Sequence, residues 1–109
     1  SNWNGSGCHI NFSTLTMRES NSENEVKKII EKLRIKHTYH IINYGQDNHM
    51  RLTGSNETSC ISDFTSGIGD RTASIRIPTS TFTYIEDRRP ASNIDPYIAT
   101  SIILKTISE

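Results

Sequence analysis

Cysteine is scarce in this chain of 109 residues, which contains only Cys8 and Cys60. Two cysteines are too few for a disulfide framework, so the composition favours a reducing compartment and we expect a cytoplasmic location. No signal peptide is recognisable, and no apolar run is long enough to span a bilayer. Hydrophobic residues make up only 33% of the chain. The length fits one domain or a piece of one, and the low hydrophobic content is typical of a segment of a larger domain whose polar residues line a cleft.

An excess of charge of either sign is also missing, because 12 Lys and Arg residues balance 12 Asp and Glu residues. A general nucleic-acid or membrane-surface binder would carry a basic excess, so we expect neither partner. Four of the five lysines cluster between residues 27 and 36, whereas most arginines lie in the second half of the chain. Since the planar guanidinium group suits carboxylate and phosphate, the second half predicts an anion site.

Hydrophobic periodicity predicts three elements in the first half of the chain. Residues 8–17 alternate as a strand, residues 23–36 form the clearest helix, and a short helix follows over 37–44. Ser22 and Glu25 have the spacing of a capping box at the start of the long helix. One apolar stripe along this helix consists of Val26, Ile29, Ile30 and Leu33.

The second half begins with residues 46–70, which are rich in small polar residues and predict a long functional loop. Strands over 72–77 and 83–88 are expected to form a hairpin. A final helix begins with Asp95 as its cap and Pro96 in its first turn. Its predicted buried face consists of Ile98, Ile102, Ile103 and Ile107. The predicted fold class is therefore α+β, with a mainly antiparallel sheet and flanking helices.

The first segment that could carry chemistry is residues 2–13, N-W-N-G-S-G-C-H-I-N-F-S. Its glycines would let main-chain N–H groups approach a ligand closely. His9, Asn11 and Ser13 are spaced two apart, so a strand would direct all three to one face. The alternative interpretation is a glycine-rich turn that leads into an edge strand.

Three further groups have both a functional and a structural interpretation. Arg51 and Glu57 in the long loop could serve a site or form a surface ion pair. Arg76 lies in a predicted strand of small and apolar residues, so it must either extend to solvent or meet an anion. Glu86 and Arg88 share a strand face, where they could bind a cation and an anion side by side or form an ion pair.

His37 and His40 are three residues apart on a predicted helix, a spacing that metal ligands can have. No carboxylate or cysteine pattern accompanies them, so we interpret them as an ordinary helix surface.

Four ordered motifs resemble the glutamine synthetase family in its eukaryotic form, and together they extend along essentially the whole chain. They are N-W-N-G-S-G-C-H-I-N-F-S, R-L-T-G-S-N-E-T, R-T-A-S-I-R-I-P and E-D-R-R-P-A-S-N-I-D-P. The resemblance implies that residues 1–109 are the C-terminal part of the catalytic domain, without the N-terminal domain and the first part of the catalytic domain. It also implies an ATP-dependent glutamate–ammonia ligase that acts through a γ-glutamyl phosphate.

The resemblance assigns roles to individual positions of this sequence. His9 and Glu86 match ligands of one divalent ion, Mg²⁺ or Mn²⁺. The positions matching ATP contacts are Asn11, Phe12, Ser13, Arg71, Arg76, Tyr84 and Ile85. The positions matching glutamate contacts are Asn2, Trp3, Asn4, Gly5, Arg51, Arg71 and Arg88. Glu57, on a mobile loop, and Arg71 match catalytic positions.

The implied partners are L-glutamate, ammonia and ATP, within a homo-oligomeric ring. Family glutamates that hold the second metal ion have no counterpart in this sequence, so we expect the isolated chain to be inactive. Asp70 also stands where the family usually has asparagine, which could partly neutralise Arg71. The alternatives are a non-catalytic, truncated remnant of the family and a relative that joins γ-glutamyl groups to another amine.

Overall fold

The computed structural model describes residues 7–45, 48–54 and 58–109, with residues 50 and 51 described for their backbone only. In this part of the chain, no helix is both long enough and apolar enough to cross a membrane. The elements in chain order are β1 (Ile10–Phe12), α1 (Leu15–Ser20), α2 (Glu23–Ile35), α3 (His37–Ile42), α4 (Asn48–Arg51), β2 (Ser66–Ile68), β3 (Ile75–Ile77), β4 (Ile85–Asp87) and α5 (Pro96–Ser108).

The four strands form one sheet in the order β1-β4-β3-β2. β4 pairs antiparallel with β1 and β3, whereas β2 pairs parallel with β3. The α+β class is confirmed, but the sheet is mixed rather than only antiparallel. The sequence of β2, Ser-Gly-Ile, has no alternating pattern, so its strand conformation depends on main-chain pairing with β3. The predicted loop 46–70 therefore contains this strand and the short helix α4.

The predicted hairpin is confirmed by the pairing of Ile75 with Asp87 and of Arg76 with Glu86. Both strands are shorter than expected, and residues 78–84 connect them without regular structure. This connection forms one wall of the cleft described below.

The predicted strand over 8–17 is wrong in its second half, where the chain turns into α1. Thr14 caps this helix, since its Oγ1 accepts a hydrogen bond from the N–H of Met17 at 3.1 Å. Met17 is fully buried and belongs to the main core. A threonine within an alternating segment thus acts as a helix start, because its hydroxyl satisfies an otherwise unpaired N–H group.

The long helix forms as predicted. Ser22 is its N-cap, and its hydroxyl accepts a hydrogen bond from the N–H of Glu25 at 3.1 Å. Val26, Ile29 and Leu33 are buried against β3 and β4, with Ile30 partly buried at the margin. The short helix α3 also forms, ending at Ile42 rather than at residue 44.

The last helix begins as predicted, with Asp95 Oδ1 accepting from the N–H of Tyr97 at 2.9 Å. Its buried face is rotated relative to the prediction. Ile102 and Ile103 are buried, but Ile98 is 46% exposed, and Ala99 and Thr106 are buried as well. Thr106 faces inward because its hydroxyl bonds to the ring of a buried histidine, as described next.

A buried ion pair at the end of β4 lies at the centre of a polar network. Asp87 and Arg89 are almost completely inaccessible. Arg89 donates from Nε to Oδ1 of Asp87 at 2.9 Å and from Nη2 to Oδ2 at 2.8 Å, and its main-chain N–H adds a bond of 3.1 Å. Burial by itself would raise the pKa of Asp87, but the guanidinium holds this pKa below its ordinary value, so the carboxylate is charged.

The network continues from the ion pair to the helices. Tyr44 donates from its hydroxyl to Oδ2 of Asp87 at 2.7 Å. His40 Nδ1 lies 2.7 Å from the same hydroxyl, and His40 Nε2 lies 2.8 Å from Oγ1 of Thr106 on α5. Because the single hydroxyl proton of Tyr44 goes to Asp87, Nδ1 of His40 donates to that hydroxyl. Burial lowers the pKa of His40 to about 4, so the ring is neutral at about pH 7 and its Nε2 accepts from Oγ1 of Thr106. The network thus joins the end of β4 to α3 and α5.

We predict that Asp87→Asn lowers the free energy of unfolding by about 3–5 kcal/mol, because it leaves the charge of Arg89 buried without a counter-charge. Urea denaturation followed by circular dichroism measures this loss. Lys27→Ala is the matched control, since the Lys27–Glu23 pair is exposed on α2, and it should change stability by less than about 0.5 kcal/mol. Equal effects of the two substitutions would contradict this assignment.

Candidate functional site

One face of the sheet carries a row of polar residues that come from three strands. Asn11 on β1 is paired with Glu86 on β4, and Glu86 is paired with Arg76 on β3. Directly paired residues of neighbouring strands have their side chains on the same face. The register therefore brings together an amide, a carboxylate and a guanidinium from distant parts of the sequence.

This row forms the floor of a cleft of about 350 Å³. The wall is the connection between β3 and β4, which contributes Tyr84 and a run of hydroxyl residues. The complete lining is Asn11, Arg76, Pro78, Thr79, Ser80, Thr81, Tyr84 and Glu86. Four predicted site residues, Asn11, Arg76, Tyr84 and Glu86, thus meet at one cleft. Thr79, Ser80 and Thr81 were not among the predicted site residues, although their run of hydroxyls beside a predicted strand was a usable signal.

Arg76 is half-buried on the cleft floor, and its Nε is a buried donor with no hydrogen-bond partner among the described residues. A buried donor without a partner is costly, and a bound anion would satisfy it. This geometry favours the anion interpretation of Arg76 over extension into solvent.

The side chains of His9 and Glu86, which the resemblance matches to ligands of one ion, lie close together. His9 Nδ1 lies 4.0 Å from Oε2 of Glu86. Two ligands of one Mg²⁺ ion, each at about 2.0–2.1 Å, are at most about 4.2 Å apart, so both side chains can reach a shared ion if they approach it from nearly opposite sides. The second oxygen, Oε1, accepts from Nη1 of Arg88 at 3.0 Å, which leaves Oε2 for an ion. Glu86 lies in β4 and Arg88 follows the end of this strand, so the ion pair joins the residues on either side of Asp87.

The donor chemistry fits a divalent ion, because an imidazole nitrogen and a carboxylate oxygen both suit Mn²⁺, and the carboxylate suits Mg²⁺. Within the described residues there is no group of three or more His, Cys, Asp or Glu side chains that could hold a metal. Any ion held by His9 and Glu86 would therefore take its other ligands from water, from a phosphate or from outside the described part of the chain.

Several predicted site residues are directed elsewhere. Phe12 packs against the core and Ile85 belongs to it, so only their main chains are available to a ligand. Ser13 Oγ accepts from Nη1 of Arg18 at 2.6 Å. Arg71 is exposed in a turn and does not line the cleft. Asp70 accepts from the N–H and the hydroxyl of the residue at position 72.

The remaining predicted positions cannot be placed. The residues outside the described part of the chain are Asn2, Trp3, Asn4, Gly5 and Glu57. The side chain of Arg51, at the end of α4, also lies outside it.

The interpretation of His37 and His40 as an ordinary helix surface is wrong for His40, which is fully buried. His37 Nε2 bonds to the carbonyl of Ile61 at 2.9 Å, and its Nδ1 lies 2.8 Å from Nη1 of Arg89. Since Nε2 must donate to the carbonyl, Nδ1 accepts from Arg89. Both rings therefore serve the buried network. The sequence signal for this buried network lay in Asp87 and Arg89. Their spacing of two residues places both side chains on the inward face, where a buried carboxylate needs a cation.

Comparison with known proteins supports the resemblance found in the motifs. No protein-family model matches the chain. It is 55% identical over 108 residues to the glutamine synthetase of Agaricus bisporus. The aligned region is 95% of this chain and 30% of that protein. It is 53% identical over 109 residues to the enzyme of Yarrowia lipolytica and 50% identical over 109 residues to that of Saccharomyces cerevisiae, with 96% of this chain and 30% of each relative covered.

The chain is therefore a homologue of glutamine synthetases, a class of ligases. More particularly, it matches a segment of the eukaryotic, fungal type of these proteins. It spans about 30% of the length of the curated relatives that it matches.

The buried histidine makes the stability of this fold depend on pH. Burial, reinforced by Arg89, lowers the pKa of His40 to about 4, whereas in the unfolded chain it returns to about 6.5. Between these values the unfolded state binds more protons, so stability must fall as the pH decreases from about 6.5 to 4. The lowered pKa of His37, also caused mainly by burial, acts in the same direction.

We expect the loss across this window to be on the order of 3 kcal/mol, measured as urea denaturation midpoints at successive pH values. His40→Gln should flatten most of the slope, because it removes the group that gains a proton on unfolding. Asp87 loses its contribution only below about pH 4, outside the window. A wild-type stability that stays constant between about pH 6.5 and 4.5 would contradict the prediction.

Proposed function

We propose that this chain forms part of the active site of a glutamine synthetase, which amidates L-glutamate with ammonia at the expense of ATP and passes through a γ-glutamyl phosphate. The observation that carries the proposal is the cleft in which Asn11, Arg76, Tyr84 and Glu86 meet. The support from comparison is the 50–55% identity to glutamine synthetases. In this proposal the chain is the C-terminal part of the catalytic domain, within a cytoplasmic, homo-oligomeric ring.

Arg76 is proposed to bind the phosphates of ATP. The reaction brings two anions together, the phosphoryl group and the side-chain carboxylate of glutamate, and their repulsion must be offset. The partly buried guanidinium with an unpartnered Nε is suited to this task. Asn11 and Tyr84, together with the main chains of Phe12 and Ile85, would contact the nucleotide around it, with Ser13 at the margin.

His9 and Glu86 are proposed to hold one Mg²⁺ or Mn²⁺ ion beside these phosphates. When bound, the ion supplies charge neutralisation for the transferred phosphoryl group. Arg88 orients the carboxylate of Glu86 through the bond at 3.0 Å, and the family resemblance assigns Arg88 to glutamate binding.

The other positions keep roles that only the family resemblance assigns. Asn2, Trp3, Asn4, Gly5, Arg51 and Arg88 would bind glutamate. Arg71 would reach the phosphoryl group from its exposed turn, which requires the turn to move or the ligand to extend toward it. Glu57 would close over the site as a catalytic loop residue and protect the acyl phosphate from water.

We predict that Arg76→Ala weakens binding of MgATP to the chain by at least about tenfold, because it removes charge-assisted hydrogen bonds worth about 1.5–3 kcal/mol. Arg76→Lys should recover part of the affinity, since it keeps the charge but not the planar fork. Isothermal titration calorimetry measures both effects.

Arg34→Ala is the matched control for this experiment. Arg34 pairs with Glu31 on the exposed face of α2, so its removal should leave nucleotide affinity unchanged. Failure of the wild-type chain to bind MgATP, or equal binding by Arg76→Ala, would refute the nucleotide role of the cleft.

The 109-residue chain by itself is expected to form no glutamine, because the resemblance assigns the ligands of the second metal ion to positions outside this sequence. An ADP-release assay with glutamate, ammonia, ATP and Mg²⁺ tests this expectation. Turnover above background that disappears on His9→Ala would show that the chain is sufficient for catalysis and would contradict the prediction.

A further inference from the structure

Asn21 ends α1 in a conformation that few residues adopt. Its backbone lies in the left-handed region, with φ 46° and ψ 49°, and its N–H donates to the carbonyl of Met17 at 2.9 Å. Asparagine and glycine tolerate this region better than other residues, because the short amide forms local hydrogen bonds and glycine has no Cβ. Either asparagine or glycine could therefore adopt the left-handed backbone conformation at this position.

The side chain of Asn21 makes a second, long-range contact. Its Oδ1 accepts from Oγ1 of Thr81 at 3.1 Å and from the main-chain N–H of Phe82 at 2.5 Å. Both donors lie about sixty residues away, in the connection between β3 and β4. The atom must be the amide oxygen, because a main-chain N–H can only donate.

The connection that Asn21 holds is the wall of the candidate cleft. Thr81 lines the cleft, and its Oγ1 also accepts from the N–H of Thr83 at 3.2 Å. Phe82 packs against the main core. On the other side, Thr79 approaches Gly69 so closely that a Cβ on this glycine would lie 2.7 Å from its Cγ2. The wall has no regular structure of its own and depends on such anchors.

We propose that Asn21 is a positioning residue for the cleft: its side-chain oxygen fixes Thr81 and Phe82, and so sets the wall against which a ligand on Arg76 and Glu86 is held. This inference rests on the proposed function in one respect, the use of MgATP as the ligand. Asn21 itself does not line the cleft, so it acts only through the connection.

The position offers an informative pair of variants. Asn21→Gly keeps the left-handed backbone and removes the amide oxygen, so it separates the anchor from helix termination. Asn21→Asp keeps an acceptor oxygen in the same place and should act as the conservative rescue.

The first measurement is hydrogen exchange of the Phe82 amide, which reports the anchor without any ligand. Loss of its acceptor should accelerate this exchange about tenfold or more in Asn21→Gly, and Asn21→Asp should restore protection. Amides of α2, which is anchored independently in the core, serve as the internal control. Acceleration at Phe82 alone supports the inference. Unchanged exchange at Phe82, or equal acceleration at α2, would overturn it.

The second measurement is the dissociation constant for MgATP. Asn21→Gly should raise it about threefold to tenfold, and Asn21→Asp should leave it near the wild-type value. An unchanged constant in Asn21→Gly, despite local acceleration at Phe82, would overturn the positioning role. If the wild-type chain does not bind MgATP, the nucleotide proposal fails, and exchange at Phe82 still decides whether Asn21 anchors the wall.

Discussion

The bidentate pair of Asp87 and Arg89 is the interaction on which the rest of this structure depends. Side chains alternate along β4, so an inward Asp87 requires Glu86 to face outward. A slip of one residue would expose the ion pair and bury Glu86 among apolar side chains, at a high cost in free energy. A buried charge that must keep its counter-charge therefore fixes the register of the central strand more strictly than another aliphatic residue would.

The same ion pair holds the helices against the sheet. Tyr44 links it to the segment after α3, His40 carries the network to Thr106 on α5, and His37 carries it to the chain at Ile61. Arg89 also stacks over the rings of Tyr44 and Phe64, at 5.2 Å from each ring centre. In a chain whose hydrophobic content is only 33%, such a satisfied polar network takes on part of the specificity that an apolar core normally provides.

The candidate site lies on the face of the sheet opposite the buried ion pair. With β4 fixed, the register places Asn11 and Arg76 on either side of Glu86. Alternation at the end of β4 thus separates two functions, since Asp87 and Arg89 hold the fold while Glu86 lines the cleft and pairs with Arg88. The charges of the outward pair remain partly accessible, with side chains 19% and 11% exposed. Partial exposure leaves the carboxylate of Glu86 accessible from the cleft.

The sequence by itself determined the elements whose signals are local: the capped α2, the start of α5 at Asp95, and the pairing of β3 with β4. It also carried the resemblance to glutamine synthetases, because each motif is a continuous run of residues. Only the tertiary structure decided that β2 pairs in parallel, that Thr14 begins a helix, and that His40 is buried beside Arg89. It likewise decided which predicted residues share a cleft. The reason is physical, because helix caps and hydrophobic periodicity depend on residues only a few positions apart. Burial, strand register and hydrogen-bond partners depend on residues far apart in the sequence, such as Asn21 and Phe82, which only folding brings together.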